Sequence, residues 1–311
     1  MLKLISFHNF NIVIPLKLPH LFIIVTLFAG LAGASCDPKN YNSGYYKTLV
    51  SPEFPYNLGT PFEVFEFPKE LREISGLEYY KNNIIAGIQD ESGVLYLYNI
   101  QTKKLARKIK FSKHGDYEGV AIAGNYAFVI NSKGDLFGLQ ITNEDHVDGT
   151  RYKTPFSSKN NIEGLCYNPA DSSLLIVCKE KAGIDSKMKG RAVYRYGLSE
   201  GRIDKEPFIH ITNKIYLEKL KSFDLDIKNH SPFKPSGISI NPTNGNIYLI
   251  SSVGRLMIVF DHEKKIIDMI PLARSIFRQP EGICFSPEGD LFISSEGGDR
   301  KGYMIKFRLE K

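Results

Sequence analysis

The chain has 311 residues, 42% of them hydrophobic and 24% charged, with a formal net charge of +6. This is globular composition, which excludes a disordered or low-complexity chain and leaves room for one large all-β unit or two smaller domains. The charge is too mild for a nucleic-acid binder. Its local clusters, at Lys103, Lys104, Arg107 and Lys108 and again from Lys179 to Arg191, read as solvated faces without the interleaved aromatics of a stacking groove.

Residues 1–35 read as a lipoprotein signal peptide. Leu21 to Ala32, LFIIVTLFAGLA, is an apolar run of twelve residues, too short to span a bilayer comfortably and suited to a signal-peptide core. Gly33-Ala34-Ser35-Cys36 follows at once and looks like a lipobox, which predicts cleavage before Cys36 and a lipid on that cysteine. An uncleaved membrane anchor is the competing reading. Cleavage removes Lys3 and Lys17 and leaves a net charge of about +4. Residues 36–60, beginning with Cys36 and DPKNYNSGYY, are polar and turn-forming and read as a tether, with the folded domain over 61–311. Cys166, Cys178 and Cys284 remain, an odd set that cannot pair fully. They read as buried thiols acting as small apolar groups, although Cys166 and Cys178 could meet across one hairpin.

A short motif then recurs five times: EISGL at Glu73 to Leu77, DYEGV at Asp116 to Val120, NIEGL at Asn161 to Leu165, KPSGI at Lys234 to Ile238 and QPEGI at Gln279 to Ile283. Its glycines, Gly76, Gly119, Gly164, Gly237 and Gly282, are spaced by 43, 45, 73 and 45 residues, and periods in the low forties belong to four-stranded propeller blades. After each glycine come a turn residue (Asn83, Asn125, Ser173, Asn246 or Asp290), an apolar run such as YAFVI or LLIVC, a polar turn, and a third run such as VLYLYNI or RLMIVF. Fourth strands such as KKLARKIKF and KKIIDMI follow in the first four units. The last unit ends after its third strand, and Phe62 to Phe67, FEVFEF, alternates as its missing fourth strand should. The reading is therefore an all-β single propeller, five-bladed with six possible, closed by an N-terminal strand so that no edge stays open. The 73-residue spacing calls for an insertion around Lys214 to Ile227 or a degenerate sixth blade.

Blade topology predicts convergence. The connection entering each innermost strand and the turn between its second and third strands share one face, around the channel. The residue before each glycine, Ser75, Glu118, Glu163, Ser236 or Glu281, and the turn residues Asp90, Glu91, Asn131, Lys179, Glu180, Ser252 and Glu296 should gather at that mouth. Three glutamates at equivalent positions, with Asn131, make an oxygen-rich ring suited to a hard cation such as Ca2+. For any single glutamate, capping of backbone N–H groups or pairing with Lys133, Lys179 or Lys181 is the competing reading. No HExxH, GxSxG or GxxxxGK occurs, and His114 near Glu118 is the one candidate base singled out.

The motifs EISGLEYY, DYEGVAI, NIEGLCYNPADSSLLIVCKEK, PSGISINPTNGNIYLISS and QPEGICFSPEGDLFISSE resemble the SdiA-regulated family of bacterial envelope proteins over about Glu73 to Leu309. That resemblance implies an envelope-tethered β-propeller in a family without an established reaction. The chain is also similar, more distantly, to calcium-dependent lactonase and phosphotriesterase propellers, in which a glutamate before glycine at a strand start is a metal ligand. Carried over, this would make Glu118, Glu163 and Glu281 ligands, with Asn131 and Asp90 as looser matches; those enzymes have six blades. The expectation is a lipid-anchored envelope module that binds a small ligand, a cation or an envelope protein and no nucleic acid, with a calcium-dependent hydrolase as the alternative.

Overall fold

The computed structural model describes residues 54–184 and 187–310. The expected signal peptide, the expected lipobox and Cys36 lie outside them, as does the expected tether up to residue 53.

The strands are numbered in chain order. After β1 (Glu63–Glu66), blade 1 is β2 (Ile74–Lys81), β3 (Ile84–Gln89), β4 (Val94–Asn99) and β5 (Lys104–Lys110). Blade 2 is β6 (Tyr117–Ala123), β7 (Tyr126–Asn131), β8 (Leu136–Gln140) and β9 (Thr150–Tyr152). Blade 3 is β10 (Ile162–Asn168), β11 (Ser173–Cys178), β12 (Arg191–Gly197) and an outer position split between β13 (Arg202–Ile203) and β14 (Ile209–Ile211), both paired with β12. Blade 4 is β15 (Lys234–Ile240), β16 (Ile247–Val253), β17 (Leu256–Phe260) and β18 (Ile266–Pro271). Blade 5 is β19 (Pro280–Phe285), β20 (Leu291–Ser295) and β21 (Tyr303–Phe307), completed by β1.

The closure is the one the alternating FEVFEF predicts. Strand β1 runs antiparallel to β21, from Glu63 opposite Lys306 to Glu66 opposite Tyr303. It sends Phe65 into a core with Phe67, Leu71, Tyr98, Phe292 and Met304, which joins blade 5 to blade 1. Burial follows position in the blade. Every residue of β11 and β20 is buried, as their unbroken apolar runs require, whereas β5 exposes Lys104, Ala106, Lys108 and Lys110 in alternation.

Five blades account for the repeat, and no sixth is needed. The long spacing holds the split outer strand of blade 3 and two helices, α1 (Asn213–Ser222) and α2 (Ile227–His230). Thr212 caps α1 by accepting from the Ile215 N–H at 3.2 Å. Tyr216 and Leu220 of α1 are buried with Phe233, Ile258 and Ile266 in the core between blades 3 and 4. The folded unit also takes in residues of the tether segment. Phe54, Tyr56 and Leu58 are buried, and the Tyr56 hydroxyl donates to Gly289 O (2.6 Å) and accepts from Asn241 Nδ2 (2.9 Å). Cys166, Cys178 and Cys284 are buried free thiols. Cys166 stands opposite Leu175 and Cys178 opposite Ile162, so the hairpin does not pair them.

Candidate functional site

The five motif glycines meet at the axis because only a residue without Cβ lets the innermost strands come so close. A Cβ on Gly119 would lie 2.7 Å from Leu165, and one on Gly237 would lie 2.5 Å from the Glu281 carbonyl oxygen. Close approach is thus their role; none of the five has a positive φ, the other freedom glycine offers. Their packing pinches the channel to a cavity of about 10 Å³ lined by Ser75, Glu118, Glu163, Ser236, Glu281 and the residues that follow them. The axis is therefore closed at the glycine ring to anything larger than about one water molecule.

The strand register slips at the residue before each glycine. Shifts fall between Ile74 and Gly76, Tyr117 and Gly119, Ile162 and Gly164, Pro235 and Gly237, and Pro280 and Ile283. A bulge re-aims the extra side chain out of the ladder, which turns Ser75, Glu118, Glu163, Ser236 and Glu281 from sheet residues into lining residues of the channel.

The three glutamates are electrostatically coupled, as equivalent positions on a common axis predict. Burial first, then the charges of Glu163, Asp116 and Glu281, raise the Glu118 carboxyl far above the usual carboxylate range. Burial likewise raises Glu163, against the opposing pull of Lys179, whose Nζ lies 3.0 Å from Glu163 Oε1. Asn161 donates to the same oxygen at 2.8 Å. Glu281 is pushed up to about 8 by burial and by Glu163. Burial tends to lower the Lys179 ammonium, but Glu163, Glu281 and Glu118 together hold it above its ordinary value.

The other predicted mouth residues divide. Glu296 joins the acidic field: it accepts from Gln279 Nε2 at 2.5 Å and is raised to about 7 by burial, Asp90, Glu73 and Glu163. Asp90 is raised by burial, Glu73 and Glu91, and its Oδ1 is buried without a hydrogen-bond partner. Ser236 ties blade 4 to blade 5 by donating to Pro280 O at 2.7 Å, and Ser75 donates weakly to Glu73 O at 3.4 Å. Glu180 is drawn to Lys234 (2.6 Å), Glu91 is exposed and Ser252 is half-buried. Asn131 uses its amide within its own turn, accepting from the Asp135 N–H (2.8 Å) and donating to Asp135 Oδ2 (3.4 Å), and does not line the pinched channel. His114 is exposed, with Nδ1 3.1 Å from Glu91 O.

The sequence reading overlooked an outer tier: Glu73, Asp116, Asn161, Lys234 and Gln279, the first residue of each motif. Asp116, Asn161 and Gln279 bear directly on the glutamate two positions later, while Lys234 bonds Glu180. The signal was present, since all five are polar where the next residue is Ile, Tyr or Pro.

The oxygen-rich donor set is that of a hard cation. As they stand, no three His, Cys, Asp or Glu side chains among the described residues are arranged to hold a metal ion. A cation would have to draw the carboxylates together and displace the Lys179 ammonium.

Among solved structures, the glutaminyl cyclase of Myxococcus xanthus is similar with a TM-score of 0.52 and 12% identity, covering 80% of this chain and 95% of its own. A luciferin-regenerating enzyme follows at a TM-score of 0.49 and 13% identity, covering 79% and 94%. Virginiamycin B lyase from Staphylococcus aureus matches with a TM-score of 0.45 and 14% identity, covering 78% and 68%. At such identities the likeness is one of fold. Comparison with curated proteins finds no match. The family model of SdiA-regulated proteins matches residues 67–298, a span that carries every glycine motif of the channel, and the chain belongs to the SdiA-regulated family.

Proposed function

We propose that this propeller is a binding module whose channel mouth takes a positively charged group, with Ca2+ as the cation its donors suit best. Membership of the SdiA-regulated family implies a bacterial-envelope location. There the module would hold a small ligand or an envelope protein through that charge. One observation carries the reading: carboxylates from three blades share one field, and Lys179 is the only basic side chain ion-paired to any of the three among the described residues. Buried carboxylates repel one another and favour any cation that can reach them. Lys179 occupies the place such a cation would take, so binding is an exchange of a tethered ammonium for an incoming charge.

The test is thermal unfolding of the parent and of Glu118→Gln, each with Ca2+ and with chelator. Glu118 is the glutamate to change because Glu163 is held by Lys179, and removing it would leave that ammonium unpaired. Binding should stabilise the parent by about 2.7 kcal/mol at a hundredfold excess over Kd. Glu118→Gln should lose that gain while the calcium-free variant stays as stable as the parent or becomes slightly more so, since a neutral amide replaces a carboxyl whose charged form burial and Glu163 disfavour. A parent indifferent to calcium would exclude the metal, and indifference to alkylammonium ions as well would sink the reading. The hydrolase alternative draws support from no particular observation at this mouth.

A further inference from the structure

A second charged feature lies on the outer wall where the ring closes, reaching from β5 to two connections on the mouth face and lining none of the pinched channel. A cleft of about 590 Å³ has Phe67, Pro68 and Leu105 in its lining, and its rim is cationic. Lys69 and Arg72 come from the connection between β1 and β2, Lys103, Lys104 and Lys108 from β5 and the turn before it, and Arg300 and Lys301 from the turn between β20 and β21. Three separate chain segments thus bring basic residues to one place. The carboxylates there are fewer. Glu70 pairs with Lys108 (2.5 Å), Glu66 with Lys301 (2.9 Å), Glu63 with Lys103 (2.7 Å) and Glu73 with Arg72 (2.9 Å). Lys69, Lys104 and Arg300 form no ion pair among the described residues, and all three are exposed.

We infer that this face docks on a bilayer surface rich in anionic phospholipid headgroups. Charge complementarity is the first argument. The second is the kind of cation involved: long exposed side chains, with Lys301 67% and Lys103 54% accessible, suit attraction to a charged plane better than the rigid bidentate capture of one small anion. The third is position. Cys36 stands 18 residues before Phe54, where the chain joins the fold between blades 4 and 5, so a lipid there would keep the propeller within about 65 Å of the membrane, in reach of a basic face. Lysines on an outer strand also discourage edge pairing, but that role concerns β5 alone and does not call for Lys69 or Arg300.

The test uses the full chain reconstituted in vesicles of phosphatidylcholine alone or mixed with phosphatidylglycerol. Acylation of Lys108 and Lys301 is read by mass spectrometry against exposed Lys205 as an internal standard. Docking should slow labelling of Lys108 and Lys301 several-fold in the anionic vesicles only, and high salt should abolish the protection. The variant Lys69→Glu, Arg300→Glu, Lys104→Glu, with an unchanged melt, should lower the docking equilibrium by at least about a hundredfold, since three attractive charges are lost and three repulsive ones added. Equal labelling in both vesicles would overturn the inference, and so would equal protection by inorganic phosphate without anionic lipid, which would mark a small-anion site. The outcome is independent of the channel-mouth reading, whose acids the variant does not touch.

Discussion

At the scale of the residue, the position two after each motif glycine is telling: it holds Glu78, Ala121, Cys166, Ser239 and Cys284. Burial pushes the Glu78 carboxyl up to about 8 against a single opposing bond, the Tyr79 N–H donating to Oε1 at 2.8 Å. Burial, with the Glu78 charge added, raises both the Cys166 and the Cys284 thiols. The folded protein therefore keeps a proton on Glu78 that the unfolded chain releases near 4.5. The stability tied to this group is full below that value and is lost as pH rises towards about 8. Glu78→Gln should remove that share of the decline, so its melting temperature gains on the parent's between about pH 5 and 8. Parallel curves for the two proteins would show that Glu78 is not held protonated. The motif made Glu118, Glu163 and Glu281 legible because a repeat marks equivalent positions. Glu78 was not legible, because its blade is alone in placing a carboxylate there.

At the scale of the element, closure rests on four residues of β1 and the aromatic side chains they bury. Phe65 is 1% exposed in the joint between blades 5 and 1, whereas Phe62, just outside the strand, is 45% exposed. Phe65→Ala should cost about 3–5 kcal/mol in urea unfolding, and Phe62→Ala much less. Deleting residues 61–68 should lower the melt further by opening the ring edge. A deletion variant that melts like the parent would mean the ring is held elsewhere. The closing strand was legible because alternation in FEVFEF and a missing fourth strand in the last unit agree. The outer strand of blade 3 was not. Its two pieces, Arg202–Ile203 and Ile209–Ile211, are too short to show a period, and their pairing with β12 supplies what their sequence lacks.

At the scale of the whole molecule, the proposed anchor and the propeller have separate logics. The lipid assignment comes from the run before Cys36, so Cys36→Ser should release the protein from membranes or leave the precursor unprocessed, read by lipid labelling and fractionation. Labelling of the variant equal to the parent's would rule Cys36 out. The propeller was determined by its sequence in class, blade content and closure, because a strand pattern repeated at a fixed spacing has one compact solution in which every unit buries its faces against its neighbours. That the glutamates share a mouth also followed from the repeat. Only the tertiary structure decided what that mouth is: that bulges turn the glutamates inward, that the glycines close the axis beneath them, that Lys179 already neutralises Glu163, and that Asn131 is spent on its own turn. These outcomes depend on distances between side chains from different blades, and a periodic sequence specifies which positions are equivalent without specifying how far apart their atoms come to rest.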